Sequence, residues 1–193
     1  MRNRNQLTRR SAMAGAAALA PMAALGASAS PTRDAGRDAF WFFEADDLNF
    51  EALFAIGEAA YGPGEAGEVL ATINAINTAG ASYQSFCDAF VALAGRLASF
   101  AAAVLAAGDS VSARSAYLRA AQYYNQALFF VLGTRTPDKE AELYRLMQTQ
   151  WATACRLFSP PIEPVEIPYE GGSMPGYFLK GGDGNLTPGR SPS

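Results

Sequence analysis

Residues Gly108 to Phe130 read GDSVSARSAYLRAAQYYNQALFF. Tyr117, Ala120, Tyr124, Ala127 and Val131 recur at the spacing of one helix face, and Ala116, Tyr123 and Phe130 widen that face. Ser115, Arg119, Gln122 and Gln126 make a polar line on the other side. A helix of about six turns with so wide an apolar face belongs inside a bundle. Asp109, Ser110 or Ser112 can cap its start, and Gly108 ends the helix before it.

Working outward, Ser82 to Ala107 predicts a long helix with Phe86, Phe90, Leu93, Leu97, Phe100, Val104 and Leu105 inward. Its alanines permit close helix approach. Glu65 to Thr78 predicts a shorter one facing inward through Val69, Leu70, Ile73 and Ile76, stopped by Gly80. Before it, Asp46 and Asp47 open a helix carrying Leu48, Phe50, Leu53, Phe54 and Ile56, with acids at the favourable end of its dipole. Phe40-Trp41-Phe42-Phe43 reads as an anchor in a core groove, or as an exposed aromatic patch. On the far side, Thr136-Pro137-Asp138 opens a fifth helix to about Phe158, with Leu143, Leu146, Met147, Trp151, Ala154 and Leu157 inward.

Pro160-Pro161 and Pro164 end the helical region. Val165, Ile167 and Tyr169 then alternate with Glu166 and Pro168, Glu170-Gly171-Gly172-Ser173 turns, and Met174 to Leu179 returns. Pro168 and Pro175 cannot donate to a ladder, so an edge hairpin is expected. The fold class is mainly α: a helical domain at 40–159 followed by a β-hairpin at 160–180. Residues 181–193 have almost no apolar side chain and read as a disordered tail.

Residues 1–29 read as an export signal, and 30–39 as a polar, disordered leader. Arg2, Arg4, Arg9 and Arg10 make a basic start, Ala12 to Leu25 is too short to span a bilayer, and Ala27-Ser28-Ala29 suits a signal peptidase. Thr8-Arg9-Arg10-Ser11 resembles a twin-arginine signal, which implies a bacterial periplasmic or extracellular protein with no stable membrane span after cleavage. Without those residues 11 basic side chains face 18 acidic ones, a net charge of −7, so nucleic acid is excluded as a partner. Export permits a Cys87–Cys155 disulfide, while buried free thiols are common in helical cores. Self-association is left open.

The chain has no histidine. No Ser-His-Asp triad can be assembled from it, so Ser110 and Ser173 lack a base. Ser173 also has Pro175 where a nucleophile elbow needs glycine, and a returning strand where the elbow needs a helix. Gly108-Asp109-Ser110 follows helix rather than the buried strand of a GDSL-type block. Two separated cysteines without histidine make no metal site, and Glu44, Asp46, Asp47 and Glu51 lack the spacing of a calcium loop. Gly181-Gly182-Asp183-Gly184 has no helix after it to cradle phosphate. No cofactor is implied.

Ser112-Ala113-Arg114 and Tyr117-Leu118-Arg119-Ala120-Ala121, together with Val165 to Phe178 (VEIPYEGGSMPGYF), resemble the N-terminal helical region of serine α/β-hydrolases of the FrsA-like kind. That family includes 2,6-dihydroxypseudooxynicotine hydrolase and proteins labelled acylaminoacyl peptidases. Asp109 departs from it, since many relatives carry histidine there. The resemblance implies a helical cap and the first strands of an α/β core whose catalytic serine, acid and histidine have no counterpart in this chain. The expected partner is that missing core, or the small-molecule substrate held between core and cap. Esters, peptides and carbon–carbon bonds are all cleaved in the family, and this chain alone is expected not to be catalytic. On the same terms, Arg114 would tie cap to core and Tyr117 or Tyr124 would face substrate; the competing reading makes both tyrosines bundle core.

A rival assignment is a tetratricopeptide-like interaction module, from Tyr123-Tyr124-Asn125-Gln126-Ala127-Leu128. Such repeats recur about every 34 residues, and a step of that length forward carries this segment into the helix-breaking stretch at Ser159-Pro160-Pro161.

Overall fold

The computed structural model describes residues 40–179. The predicted signal residues Arg9, Arg10, Ala27 and Ala29, the leader and the tail lie outside the described residues. Five helices come first: α1 (Asp46–Gly57), α2 (Ala66–Ala79), α3 (Tyr83–Ala106), α4 (Ser110–Val131) and α5 (Glu140–Arg156). Strands β1 (Glu163–Tyr169) and β2 (Gly172–Phe178) follow. The expected fold class, mainly α with a trailing antiparallel hairpin, is what the chain adopts.

The α3–α4 junction follows from local chemistry. Gly108 has φ 90°, the left-handed conformation that glycine adopts without strain. Its N–H donates to the Leu105 carbonyl at 2.9 Å, and the Asp109 N–H donates to the Val104 carbonyl at 3.0 Å, a Schellman closure of α3. Asp109 then caps α4, its carboxylate accepting from the Ser112 N–H at 2.9 Å. Hydrogen bonding from Ser112, through its hydroxyl first and its N–H after it, holds the Asp109 carboxyl below its ordinary range. At the other end of α3, Ser82 and Ser85 form a reciprocal capping box.

α4 is the central helix and packs most extensively on α3, then on α5. All eight residues of its predicted apolar face are buried, with Ala116, Ala120 and Ala127 fully enclosed. Gln126, placed on the polar line, is buried as well, because α4 is covered on more than one side. One core joins Phe43, Phe86, Phe90, Ile73, Ile76, Tyr123 and Phe130. A smaller one joins Ala101, Ala113, Ala116, Tyr117 and Ala154. By length and composition α3 could cross a bilayer, with a mean hydropathy of 1.9 in its most apolar stretch. Here its Phe86, Phe90, Leu93 and Leu97 are core side chains. The α3–α4 hairpin, Tyr83 to Val131, is longer than a whole repeat of the tetratricopeptide type, about 34 residues.

Several inward assignments are corrected. In α1 the buried line is Leu48, Glu51, Ala52 and Ala55, whereas Phe50, Leu53 and Phe54 are exposed. α1 is apolar on both sides, and packing through alanines brings it closer to its neighbours. Leu70 and Phe100 are also exposed, and Thr72 and Ala101 occupy the buried positions. The aromatic run is an anchor: Phe43 is buried edge-on to Phe86 at 6.3 Å. The buried Asn49 carboxamide accepts from the Phe42 N–H at 2.6 Å and donates to the Phe40 carbonyl at 3.3 Å. Cys87 and Cys155 are buried free thiols, raised above the ordinary range by desolvation.

In the hairpin Tyr169 pairs with Gly172, leaving a two-residue loop, Glu170-Gly171, with φ 48° and 82°. Two left-handed residues match the twist of the strands they join. The turn is therefore shorter than expected, and Ser173 belongs to β2, where its hydroxyl donates to Glu166.

Candidate functional site

A cleft of about 630 Å³ lies where α4, α5 and β2 meet. α4 contributes Leu118, Gln122 and Asn125, spaced four and then three residues apart on one face. α5 contributes Tyr144, Gln148 and Trp151 with the same spacing, and Met147 between them. Two helical stripes of equal pitch thus face each other. Pro175 and Tyr177 of β2 close the third side. Tyr177 stands edge-on to Trp151, ring centres 5.7 Å apart at 84°, and this contact fastens hairpin to helix.

Among the described residues, the carboxamides of Gln122, Asn125 and Gln148 make no hydrogen bond within the chain. Their donors and acceptors are free for something in the cleft. No lining residue is acidic or basic. The lining therefore offers polarity without charge, and supplies neither nucleophile nor base.

A wider depression of about 910 Å³ opens beside the α2–α3 turn and residues 133–135. It is a shallow shelf whose polar groups already serve local structure. Ser82 and Ser85 cap α3, and the Gln84 carboxamide accepts from the Arg135 N–H at 2.9 Å. Among the described residues no three potential metal ligands come together.

The predicted site residues do not line the cleft. Tyr117 is 8% exposed in the smaller core, and Tyr124 is 6% exposed in the larger one. Burial raises the Tyr124 phenol above its ordinary range. The Arg114 guanidinium lies over the Phe158 ring, 4.7 Å from its centre, at the segment leading into the hairpin. Sequence reasoning took Met147 and Trp151 as core and passed over Gln122, Asn125 and Gln148. The signal was the matched pair of stripes on α4 and α5, visible only when the two helices are set side by side.

Hydrolase phmG of Phaeosphaeria nodorum is 30% identical over 157 residues, 75% of this chain and 35% of that protein. The chain is a relative of proteins named as hydrolases. Hydrolase ORFZ of Pyricularia oryzae is 29% identical over 134 residues, 68% of this chain and 31% of that protein. An α/β hydrolase, ucsC of an Acremonium species, is 30% identical over 131 residues, 67% of this chain and 26% of that protein. This hydrolase relative spans about a third of the length of the curated proteins it matches. No family model matches it. The hydrolase relationship agrees with the expected one at that level, and the relatives are fungal where a bacterial source was expected.

Proposed function

We propose that this chain forms the helical cap of a serine α/β-hydrolase of the FrsA-like kind, with the α4–α5–β2 cleft turned toward the substrate. The observation that carries this reading is the third wall of the cleft. Pro175 and Tyr177 come from the hairpin, which the resemblance makes the opening of the catalytic core. The hairpin also exposes apolar groups on both strands, with Ile167, Tyr169, Met174 and Phe178 each open to solvent. A two-stranded ribbon of that kind is marginal until further strands or a helix cover it. In this reading Arg114 steadies the junction of cap and core through Phe158, and Tyr117 and Tyr124 are packing residues.

The bond cleaved would be an ester, a peptide or a carbon–carbon bond. The serine, acid and histidine would come from an α/β core adjoining the hairpin. Export by the Arg9-Arg10 signal belongs to the same proposal; Arg9→Lys with Arg10→Lys would then abolish appearance of the protein outside the cytoplasm, and normal export would refute it.

The cap role is tested in a protein joined to a related catalytic core. Gln122→Ala should lower kcat/KM by about tenfold, roughly 1.4 kcal/mol, at unchanged melting temperature, and Trp151→Ala should lower it as much per folded molecule while also loosening the hairpin it holds. Tyr117→Phe should leave turnover per folded molecule as it was. Full activity in both cleft variants would remove the cap reading.

A further inference from the structure

We infer that the α4–α5–β2 cleft binds an uncharged, flat aromatic molecule carrying carbonyl or hydroxyl groups. The inference rests on the cleft being the substrate-facing surface, and adds the chemical class of what enters it.

Charge is the first discriminator. A carboxylate, phosphate or ammonium entering this half-open cleft would give up part of its water and find no opposite charge, since no lining residue is ionic. A neutral ligand bears no such penalty.

Shape is the second. Trp151 and Tyr177 meet edge to face, and Tyr144 stands one helical turn from Gln148 along the α5 wall. Such rings favour offset or edge-on contact with another π system. Met147 adds a polarisable thioether, and Leu118 an apolar floor. The volume of about 630 Å³ suits a molecule of several fused or linked rings.

Polarity is the third. Gln122, Asn125 and Gln148 each present an NH₂ donor and a carbonyl acceptor, uncommitted to the rest of the described chain. They stand on both helices, so hydroxyl or carbonyl groups at either edge of a flat ligand find partners. An aliphatic ligand would leave the aromatic wall unused, and a hydrocarbon without oxygen would strip water from the three amides without replacing it.

The test is calorimetric titration of the 193-residue chain with three probes of similar size. They are acetylnaphthalene (neutral, aromatic, a ketone), naphthoate (the anionic counterpart) and acetyldecalin (neutral, a ketone, not aromatic). Acetylnaphthalene should bind saturably, and the other two at least about tenfold more weakly. Trp151→Ala should weaken the aromatic ketone about tenfold. Gln148→Lys, at an exposed helix position, should bring naphthoate up to the affinity of the ketone by supplying the missing charge.

Naphthoate binding the wild-type chain as tightly as the ketone would overturn the inference, as would no binding of the ketone. Failure of Gln148→Lys to raise naphthoate affinity would also overturn it. The cap reading fails separately. Ketone binding that depends on Trp151, with turnover of the core-joined protein indifferent to Trp151→Ala, would keep the ligand class and discard the cap. Turnover that depends on Trp151 without ketone binding would do the reverse.

Discussion

The Tyr123 hydroxyl in α4 donates to the Glu68 carboxylate in α2 at 2.9 Å, across 55 residues of chain. The same oxygen accepts from the Glu65 N–H at 2.9 Å, just ahead of α2. Arg119, one turn back on α4, reaches the same Glu68 oxygen at 3.0 Å and the Ser115 hydroxyl at 2.8 Å. Burial first, and the Glu68 charge after it, raise the Tyr123 phenol well above its ordinary range, so it stays a neutral donor. A fully buried ring thus carries its one polar atom to the edge of the core, where α2 begins.

Tyr123→Phe should therefore destabilise the fold by about 1–3 kcal/mol, because it strips partners from groups that are partly or wholly out of water. Urea denaturation measures it. Arg119→Met should cost less, about 1 kcal/mol or under, and the difference should shrink in high salt, since the ion pair is partly exposed. A Tyr123→Phe protein as stable as the parent would show that the Tyr123 hydroxyl adds nothing to the docking of α2.

Glu51 is 4% exposed in α1, and among the described residues it has no ion-pair or hydrogen-bond partner. Burial raises its carboxyl above the ordinary value. A raised folded-state pKa favours the fold below the unfolded value and penalises it as pH rises through the folded value. Glu51→Gln should accordingly stabilise the protein at pH near 7 and make little difference at pH near 3.5, below the ordinary glutamate value of about 4.3. Equal urea midpoints at neutral pH would refute this.

Asp47, Glu65 and Asp109 shift the other way, each held low chiefly by a hydrogen bond: from Tyr83, from the Glu68 N–H and from Ser112. A lowered folded-state pKa supplies stability above the unfolded value and loses it as pH falls through the folded one. Acid titration of Asp47→Asn, Glu65→Gln and Asp109→Asn together should show a shallower loss of stability below pH of about 4 than the parent. An identical acid limb would mean that these caps and ties are not maintained in solution.

Gly133 stands where a Cβ would lie 2.5 Å from the Tyr83 ring. That ring stacks on Phe130 at 4.6 Å, and its hydroxyl donates to Asp47. Gly133→Ala should displace Tyr83, cost about 1–3 kcal/mol and release Asp47 toward its ordinary carboxyl range. Thermal unfolding reads the first effect and carbon NMR titration of Asp47 the second. An unshifted Asp47 would place the adjustment elsewhere.

The sequence by itself determined α4, because helical period, cap and stop signal agree there: Asp109 caps, Gly108 ends α3, and the apolar face is buried as spaced. It also determined the hairpin, through alternation and the glycines after Tyr169. Local chemistry suffices where one residue's neighbours in the chain are also its partners. Tertiary structure alone decided which side of α1 turns inward, since Leu48, Ala52 and Ala55 compete with Phe50, Leu53 and Phe54 on a helix apolar all round. It decided that Gln126 is buried, because a second neighbour covers the polar line of α4. It also decided the cleft, whose walls come from α4, α5 and β2. Trp151 is a core residue by its period and a cleft residue by its neighbours, and only the docking of Tyr177 against it distinguishes the two.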